Sequence, residues 1–216
     1  MSAAKLRMAL SPRRFVSALI WICVVALLAF ANASSAQVLT NNALVAALRQ
    51  GGYVIVIRHA SSPTTLPSKQ TADPGNLKLE RQLDEAGRAG ATTLGRRLKE
   101  LNVPIGEVVT SPMFRATETA RLAQLTNATI QAELGENGEG MQPISEAQAN
   151  WLKDRVKHLP KESNTVLVTH NPNLTKAFPS WGATVTHGEA VVLDLDSKGA
   201  TRVVGRIKVE EWPRLR

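Results

Sequence analysis

Two histidines and two arginines in this 216-residue chain have the types and spacing needed for chemistry on phosphate. They are the adjacent pair Arg58 and His59, and the more distant Arg115 and His170. A neutral imidazole can attack phosphorus, and a guanidinium group binds phosphate oxygens in pairs while staying charged at any physiological pH. Two guanidinium groups and a second, protonated imidazole would stabilise the negative charge of the transition state. The set therefore predicts phosphoryl transfer through a phosphohistidine.

These residues follow three short, mostly apolar segments that are typical of strands. Segment 53–57 is followed directly by Arg58 and His59, and segment 165–169 is followed directly by His170. Segment 107–110 is followed by Ser111, and Arg115 comes four residues later. In α/β sheets, ligands bind beyond the carboxyl ends of the strands. If the three strands are neighbours, the four side chains converge on one crevice.

Segments with helical periodicity alternate with these strands. The predicted helices are 40–50, 83–101, 114–125 and 145–159, with Ser145 as a candidate N-cap of the last one. Further strands are predicted at 129–134, 190–196 and 201–209. This alternation predicts an α/β fold, a three-layer α/β/α sandwich with a mostly parallel central sheet.

Four segments carry a resemblance to a known family. They are Arg58-His59-Ala60, the stretch L-D-E-A-G-R-A-G-A at 83–91, the stretch S-P-M-F-R-A-T-E-T-A at 111–120, and V-L-V-T-H-N at 166–171. In this order they resemble the Arg-His-Gly signature, the "L-T-x-x-G-x-x-Q-A" helix start, the "S-x-x-x-R-A-x-x-T-A" segment and the second-histidine strand of the histidine phosphatase (phosphoglycerate mutase-like) superfamily. The resemblance extends from about Tyr53 to about Val192 and implies the fold of that family.

The resemblance also implies roles for individual residues. His59 would be the nucleophile, Arg58 and Arg115 would bind phosphate, and His170 would bind phosphate and stabilise the transition state. Neither a metal nor a cofactor is implied.

Three residues near these motifs leave alternatives open. Ser61 either hydrogen-bonds a phosphate oxygen or is a solvated loop residue. His187, in a loop before a predicted strand, either supports the phosphate ligands or only belongs to the loop. Ala60 stands where the family usually has glycine, which is tolerable if the backbone φ there is negative.

The proton donor for the leaving group lies outside the four motifs. Asn171 stands where the acid phosphatase and phytase branch has an aspartate, so that branch is disfavoured. In the other branch a glutamate supplies the proton, and Glu136 is the predicted general acid. Glu133 and Glu139 are alternatives, and all three belong to a segment that is also compatible with a solvated loop.

The first 36 residues have the pattern of an export signal. A basic start is followed by an uncharged apolar segment, 15–31, and by small residues up to Ala36. We therefore predict a signal peptide at 1–36, cleaved after Ala33 or Ala36, and a single domain at 37–216. The alternative is an uncleaved membrane anchor, since the apolar segment is near the lower limit for spanning a bilayer.

Removal of this segment changes the charge of the chain. The formal net charge of +8 includes four positive charges of the segment, which leaves +4 for the mature protein. A surface this mildly basic does not predict nucleic-acid binding. The only cysteine, Cys23, leaves as well, so we expect no disulfide, thiolate nucleophile or thiolate metal site.

Together these features predict a metal-independent phosphomonoesterase that is periplasmic or secreted and needs no cofactor. Its substrate would be a phosphorylated small molecule or a cell-envelope phosphate ester, and only the signal segment would meet the membrane. The motifs and the export signal resemble exported members of the superfamily such as the lipopolysaccharide-core heptose phosphatases. The alternative is a catalytically weak or inactive phosphate-binding or sensory module of the same fold, which a proton donor near the leaving oxygen would distinguish from an enzyme.

Overall fold

The computed structural model describes residues 39–63, 78, 80–136 and 143–216. The predicted signal peptide at 1–36 and the alternative acid Glu139 lie outside these residues and stay predictions. Across the described ranges, no helix combines the length and the apolar character needed to span a bilayer.

A six-stranded sheet forms the centre of the fold, with the strand order β3-β2-β4-β1-β5-β6. Its strands are β1 (Val54–Arg58), β2 (Ile105–Thr110), β3 (Thr129–Ile130), β4 (Asn164–Thr169), β5 (Ala190–Leu195) and β6 (Thr201–Ile207). The pairs β1–β4, β2–β4 and β2–β3 are parallel. The pairs β1–β5 and β5–β6 are antiparallel. The sheet is therefore mostly parallel, as predicted.

Helices cover both faces of this sheet. In the described part of the chain they are α1 (Asn41–Gln50), α2 (Glu85–Glu100), α3 (Phe114–Leu122), α4 (Glu146–Arg155) and α5 (Asn171–Ala177). Short 3₁₀ turns occur at Ala132–Leu134, Gly182–Thr184 and Trp212–Arg214.

Side chains of β1 alternate between the two helical layers, as expected for a pleated strand. Ile55 and Ile57 belong to a core cluster with leucines of α1 and α2. Val54 and Val56 belong to a second cluster with leucines of α4 and α5. Because both faces are covered, every residue of β4 is buried and the apolar segments do not alternate with polar residues. The three-layer α/β/α prediction is confirmed.

Local sequence explains where the helices near the site begin. Asp84 accepts a hydrogen bond from the backbone N–H of Gly87 (2.7 Å) and so caps α2. A Cβ at Gly87 would lie 2.1 Å from the backbone oxygen of Ser61, so only glycine lets α2 pack directly on the loop after β1. Ser145 caps α4 in a capping box, as predicted. Helix α5 was not predicted, although Pro172 in its first turn is typical of a helix start.

The predicted strand 129–134 needs correction. It is a strand only at Thr129–Ile130, after which the chain forms the 3₁₀ turn Ala132–Leu134. The Thr169 hydroxyl donates to the backbone oxygen of Leu134 (2.9 Å), which holds this segment over the end of β4 instead of along the sheet edge.

Candidate active site

His59 and His170 meet because they follow two paired parallel strands. The register of β1 and β4 sets Arg58 beside Thr169, the last residues of their strands. The backbone N–H of His59 continues the pairing by donating to the carbonyl of Thr169 (2.9 Å). The two imidazole rings lie with their centroids 5.1 Å apart. Strand order thus brings together two side chains that are far apart in sequence.

The hydrogen bond of His59 determines which of its nitrogens is free to react. Its Nδ1 lies 2.8 Å from the carbonyl oxygen of Ala60. A carbonyl can only accept, so Nδ1 carries the proton and Nε2 keeps its lone pair. Burial, and then the nearby Arg115 guanidinium, hold the pKa of His59 well below its usual range. The imidazole is therefore neutral, as a nucleophile must be.

Arg115 lies in the first turn of α3 and is almost completely buried. Its Nη2 donates to Glu136 (2.5 Å). Thr119, one turn further along α3, donates through its hydroxyl to the carbonyl of Arg115 (2.7 Å) and accepts from the backbone N–H of Ala60 (3.0 Å). One threonine thus joins the arginine helix to the nucleophile loop.

Arg58 is held by the loop that precedes β5. Its Nη1 donates to the carbonyl of Val185 (2.8 Å), and its Nη2 donates to Nε2 of His187 (2.8 Å). Because a guanidinium cannot accept, His187 must be neutral at Nε2 and carry its proton on Nδ1. Burial, and then the charge of Arg58, lower the pKa of His187 to about 4. The ring of His187 lies 5.2 Å from that of His59, so this histidine supports the site and is more than a loop residue.

His170 is fully buried. Its Nε2 lies 2.7 Å from the Ser111 hydroxyl, which also accepts from the backbone N–H of Met113 (3.1 Å). Burial, and then Arg115, lower the pKa of His170 well below its usual range. The cations of the pocket thus disfavour the positive charge that the sequence analysis expects on this histidine, and that expectation stays a prediction.

Glu136 is the candidate acid that reaches the site. Besides the contact with Arg115, its Oε1 lies 3.6 Å from Nδ1 of His170. The preceding carbonyl, of Gly135, accepts from the side chains of Gln148 (2.9 Å) and Asn173 (3.0 Å), so the backbone beside the carboxylate is pinned.

The other predicted residues lie elsewhere. Glu133 accepts from the neighbouring Gln131 side chain. Ser61 donates its hydroxyl proton to Asp84 (2.7 Å), so this geometry does not support a bond from Ser61 to phosphate. The Asn171 amide lies 3.4 Å from the carbonyls of residues 182 and 183.

Ala60, in place of the usual glycine, fits the site without backbone strain. The backbone φ angle of Ala60 is not positive. Its methyl group is buried in a small cluster with Leu83 and Ala91. Alanine is therefore tolerated at this position, as expected for a residue without positive φ.

Three residues of the pocket carry buried side-chain nitrogens without a hydrogen-bond partner among the described residues. Within the described residues, the buried side-chain nitrogens that have no hydrogen-bond partner include Nε of Arg58, Nε of Arg115 and Nδ1 of His170. A buried donor without a partner costs about 1–3 kcal/mol. The two guanidinium Nε atoms are always donors, and Nδ1 of His170 is a third donor when it carries the imidazole proton, so a group with several acceptor oxygens would satisfy them.

Arg81 also belongs to this site, although the sequence reasoning missed it. It is half-buried, and its Nε donates to the Ser62 hydroxyl (3.2 Å) in the loop that follows His59. Its charge is among the causes that lower the pKa values of all three histidines of the pocket. Only its position just before the second motif, at 83–91, was a sequence signal.

Over the described part of the chain, no group of three or more His, Cys, Asp or Glu residues is arranged to hold a metal ion.

A family model and several solved structures match this chain. The family model described as histidine phosphatase superfamily (branch 1) matches residues 54–164, just over half of the chain. That segment includes Arg58, His59, Arg115 and Glu136, and His170 lies just beyond it. No curated protein sequence matches significantly.

Two solved structures illustrate the likeness of the fold. The protein histidine phosphatase SixA, complexed with tungstate, is 16% identical, with 74% of this chain and 98% of that chain covered and a TM-score of 0.55. A phosphoserine phosphatase from Entamoeba histolytica, in complex with 3-phosphoglyceric acid, is 14% identical, with 72% and 96% covered and a TM-score of 0.50. The chain therefore belongs to the histidine phosphatase superfamily, branch 1, and is a phosphatase.

Proposed function

We propose that this phosphatase hydrolyses phosphomonoesters through a phosphohistidine on Nε2 of His59, without a metal ion. The observation that carries the proposal is the set of three buried donors around a neutral imidazole whose Nε2 lone pair is free. Phosphate oxygens would satisfy these donors, and the guanidinium groups supply the positive charge that a metal ion would otherwise provide.

In the first step, the Nε2 lone pair of His59 forms a bond to phosphorus, and the bond between phosphorus and the leaving oxygen breaks. Glu136 gives its proton to the leaving oxygen. In the second step, water attacks the phosphohistidine, the P–N bond breaks, and Glu136 takes a proton from the water. The neutral imidazole, the protonated Glu136 and inorganic phosphate result.

In this proposal His170 donates to phosphate without a positive charge. The Ser111 hydroxyl accepts from Met113 and donates its own proton to Nε2 of His170. The imidazole proton then lies on Nδ1, the atom that has no hydrogen-bond partner among the described residues. A bound dianion would in addition raise the pKa of His170.

We also propose that the enzyme is exported and acts on a phosphorylated small molecule or a cell-envelope phosphate ester. The signal-like pattern of residues 1–36 supports export. The names of the two structural relatives, a protein histidine phosphatase and a phosphoserine phosphatase, support a phosphorylated substrate in general. Fractionation and N-terminal sequencing test this proposal: a mature N-terminus at 34 or 37 in the periplasm supports export, and an intact N-terminus in the membrane fraction favours the anchor.

The mechanism is tested with p-nitrophenyl phosphate and the purified protein. We expect turnover that resists EDTA and is blocked by vanadate, with acid-labile phosphate trapped on the protein after an acid quench. His59→Ala should abolish both turnover and trapping. The matched control is His158→Ala, because this histidine is exposed and its side chain bonds to the backbone of Asp154. Retained turnover in His59→Ala would exclude the covalent mechanism, and phosphate binding without any turnover in the wild type would favour the binding module.

A further inference from the structure

Arg81 lies between the two segments that carry the nucleophile and the buried arginine. On one side its Nε contacts Ser62, whose hydroxyl in turn donates to the carbonyl of Gln82 (2.7 Å). On the other side the neighbouring Glu80 carboxylate accepts from the backbone N–H of Phe114 (2.5 Å), at the start of α3. The backbone at residues 80–82 is therefore tied to the pocket from two directions, and the guanidinium is placed with it.

In the part of the chain that the structure describes, the charge of Arg81 is not paired with a carboxylate. Within the described residues its one hydrogen bond is to Ser62, and no carboxylate lies within ion-pair distance of it. Arg115, in contrast, is paired with Glu136. A half-buried cation without a partner is costly, so an anionic ligand would stabilise it.

Exposure separates the residues of the pocket into a floor and a rim. His59, Arg115 and His170 are exposed by 2%, 1% and 0%, so they form the floor where the phosphoryl group reacts. Arg81 is only half-buried, so part of its side chain is exposed to solvent at the rim of the pocket. In a phosphomonoester, everything beyond the phosphoryl group belongs to the leaving group, so a rim residue meets the leaving group.

In the proposed reaction, the positive charges of the pocket outnumber the negative charges of the phosphate by one. When Glu136 holds the proton that it donates, the pocket contains the three positive charges of Arg58, Arg81 and Arg115. A phosphate dianion neutralises two of them. One positive charge remains, at the rim.

We infer that Arg81 forms a subsite for a second anionic group on the leaving group, such as a carboxylate or a second phosphate. The inference rests on the proposed function, because it defines which part of the substrate meets the rim. The subsite selects substrates that carry a negative charge beyond the reacting phosphate, since a guanidinium donates paired hydrogen bonds to anionic oxygens.

The test uses two phosphonates that differ in one charge, 4-carboxybenzylphosphonate and its neutral analogue 4-carbamoylbenzylphosphonate. Calorimetry gives the ratio of their dissociation constants. A substitution that changes binding of the shared phosphonate group affects both constants equally and leaves this ratio unchanged. We expect the wild type to bind the carboxylate about tenfold more tightly, as for a hydrogen-bonded charge pair near the surface. In Arg81→Gln the ratio should fall to about one, and Arg81→Lys should keep part of the preference.

Arg96→Gln is the matched control, since Arg96 is exposed on α2 and pairs with Glu100. It should keep the wild-type ratio. The inference is wrong if the wild-type ratio is already one, or if Arg81→Gln weakens both phosphonates equally, which would assign Arg81 to the phosphoryl group. The phosphonates are not hydrolysed, so a failure of the proposed reaction in the turnover assay would be recognised separately.

Discussion

The contact between His187 and Arg58 provides a quantitative test of how the pocket is built. Nε2 of His187 accepts from Nη2 of Arg58 over 2.8 Å, and Val185 holds the other end of the guanidinium. His187→Phe removes the acceptor and keeps a planar ring of similar size. A hydrogen bond to a charged group contributes about 1.5–3 kcal/mol, and about 1.4 kcal/mol corresponds to a factor of ten. Because His187 is only half-buried, we expect the lower end, a loss of about tenfold in kcat/KM.

A glutamine at this position separates positioning from packing. The carbonyl of His187→Gln can accept from the guanidinium as the imidazole does, so we expect only a loss of about threefold. Assays with p-nitrophenyl phosphate measure both variants, and His158→Gln is the control for loss of a histidine elsewhere. If His187→Phe keeps wild-type kcat/KM, or if the two variants lose equally, His187 does not act through the orientation of Arg58.

The pH dependence gives a second readout for the same residue. With a pKa of about 4, His187 gains a proton as the pH falls through that value. The cationic ring can no longer accept from Arg58 and repels it instead. The ratio of kcat/KM of the wild type to that of His187→Gln should therefore fall below about pH 4, since titration of the substrate and of His59 is common to both proteins and cancels. A constant ratio would contradict the assigned hydrogen bond.

Two further predictions concern the acid and the buried histidines. In Glu136→Gln, turnover of alkyl phosphates should fall by about 10²–10⁴-fold. Turnover of p-nitrophenyl phosphate should fall much less, because its leaving group needs no proton. Equal losses with both substrates would indicate a structural role for Glu136. The pKa values of His59, His170 and His187 are lowered from 6.5, so below that pH the unfolded chain binds protons that the folded chain does not. The free energy of unfolding should therefore decrease as the pH falls from 6.5 to 5, a range above most carboxyl titrations, and urea midpoints at several pH values measure it. A midpoint that stays constant or rises over this range would show that these histidines are protonated in the folded protein.

Much of the fold followed from local sequence. The apolar segments before Arg58 and His170 predicted buried strands, and the cap residue Ser145 predicted where α4 begins. These features are local, because a strand or a cap depends on residues only a few positions apart. The end of β3 and the helix α5 did not follow from local sequence. After Ile130, the hydrogen bond from the Thr169 side chain of β4 to Leu134 holds the chain away from the sheet edge. Helix α5 has only seven residues, too few to show a helical period.

The residue types of the site, two arginines and two histidines at predicted strand ends, were determined by the sequence alone. Their meeting was decided by strand order: β4 lies between β1 and β2, which sets His170 between the segments that carry His59 and Arg115. Strand order depends on contacts between distant segments, which no local period reports.

The supporting contacts were decided only by the tertiary structure. Arg58 and His187 are 129 positions apart, and they meet because β5 pairs antiparallel with β1, so the loop before β5 returns to the end of β1. The choice of Glu136 over Glu133 depends on bonds to Gly135 from α4 and α5. A sequence shows which charged residues a chain contains. The packing of separate layers decides which of them lie in one pocket and are removed from water, and burial together shifts their pKa values.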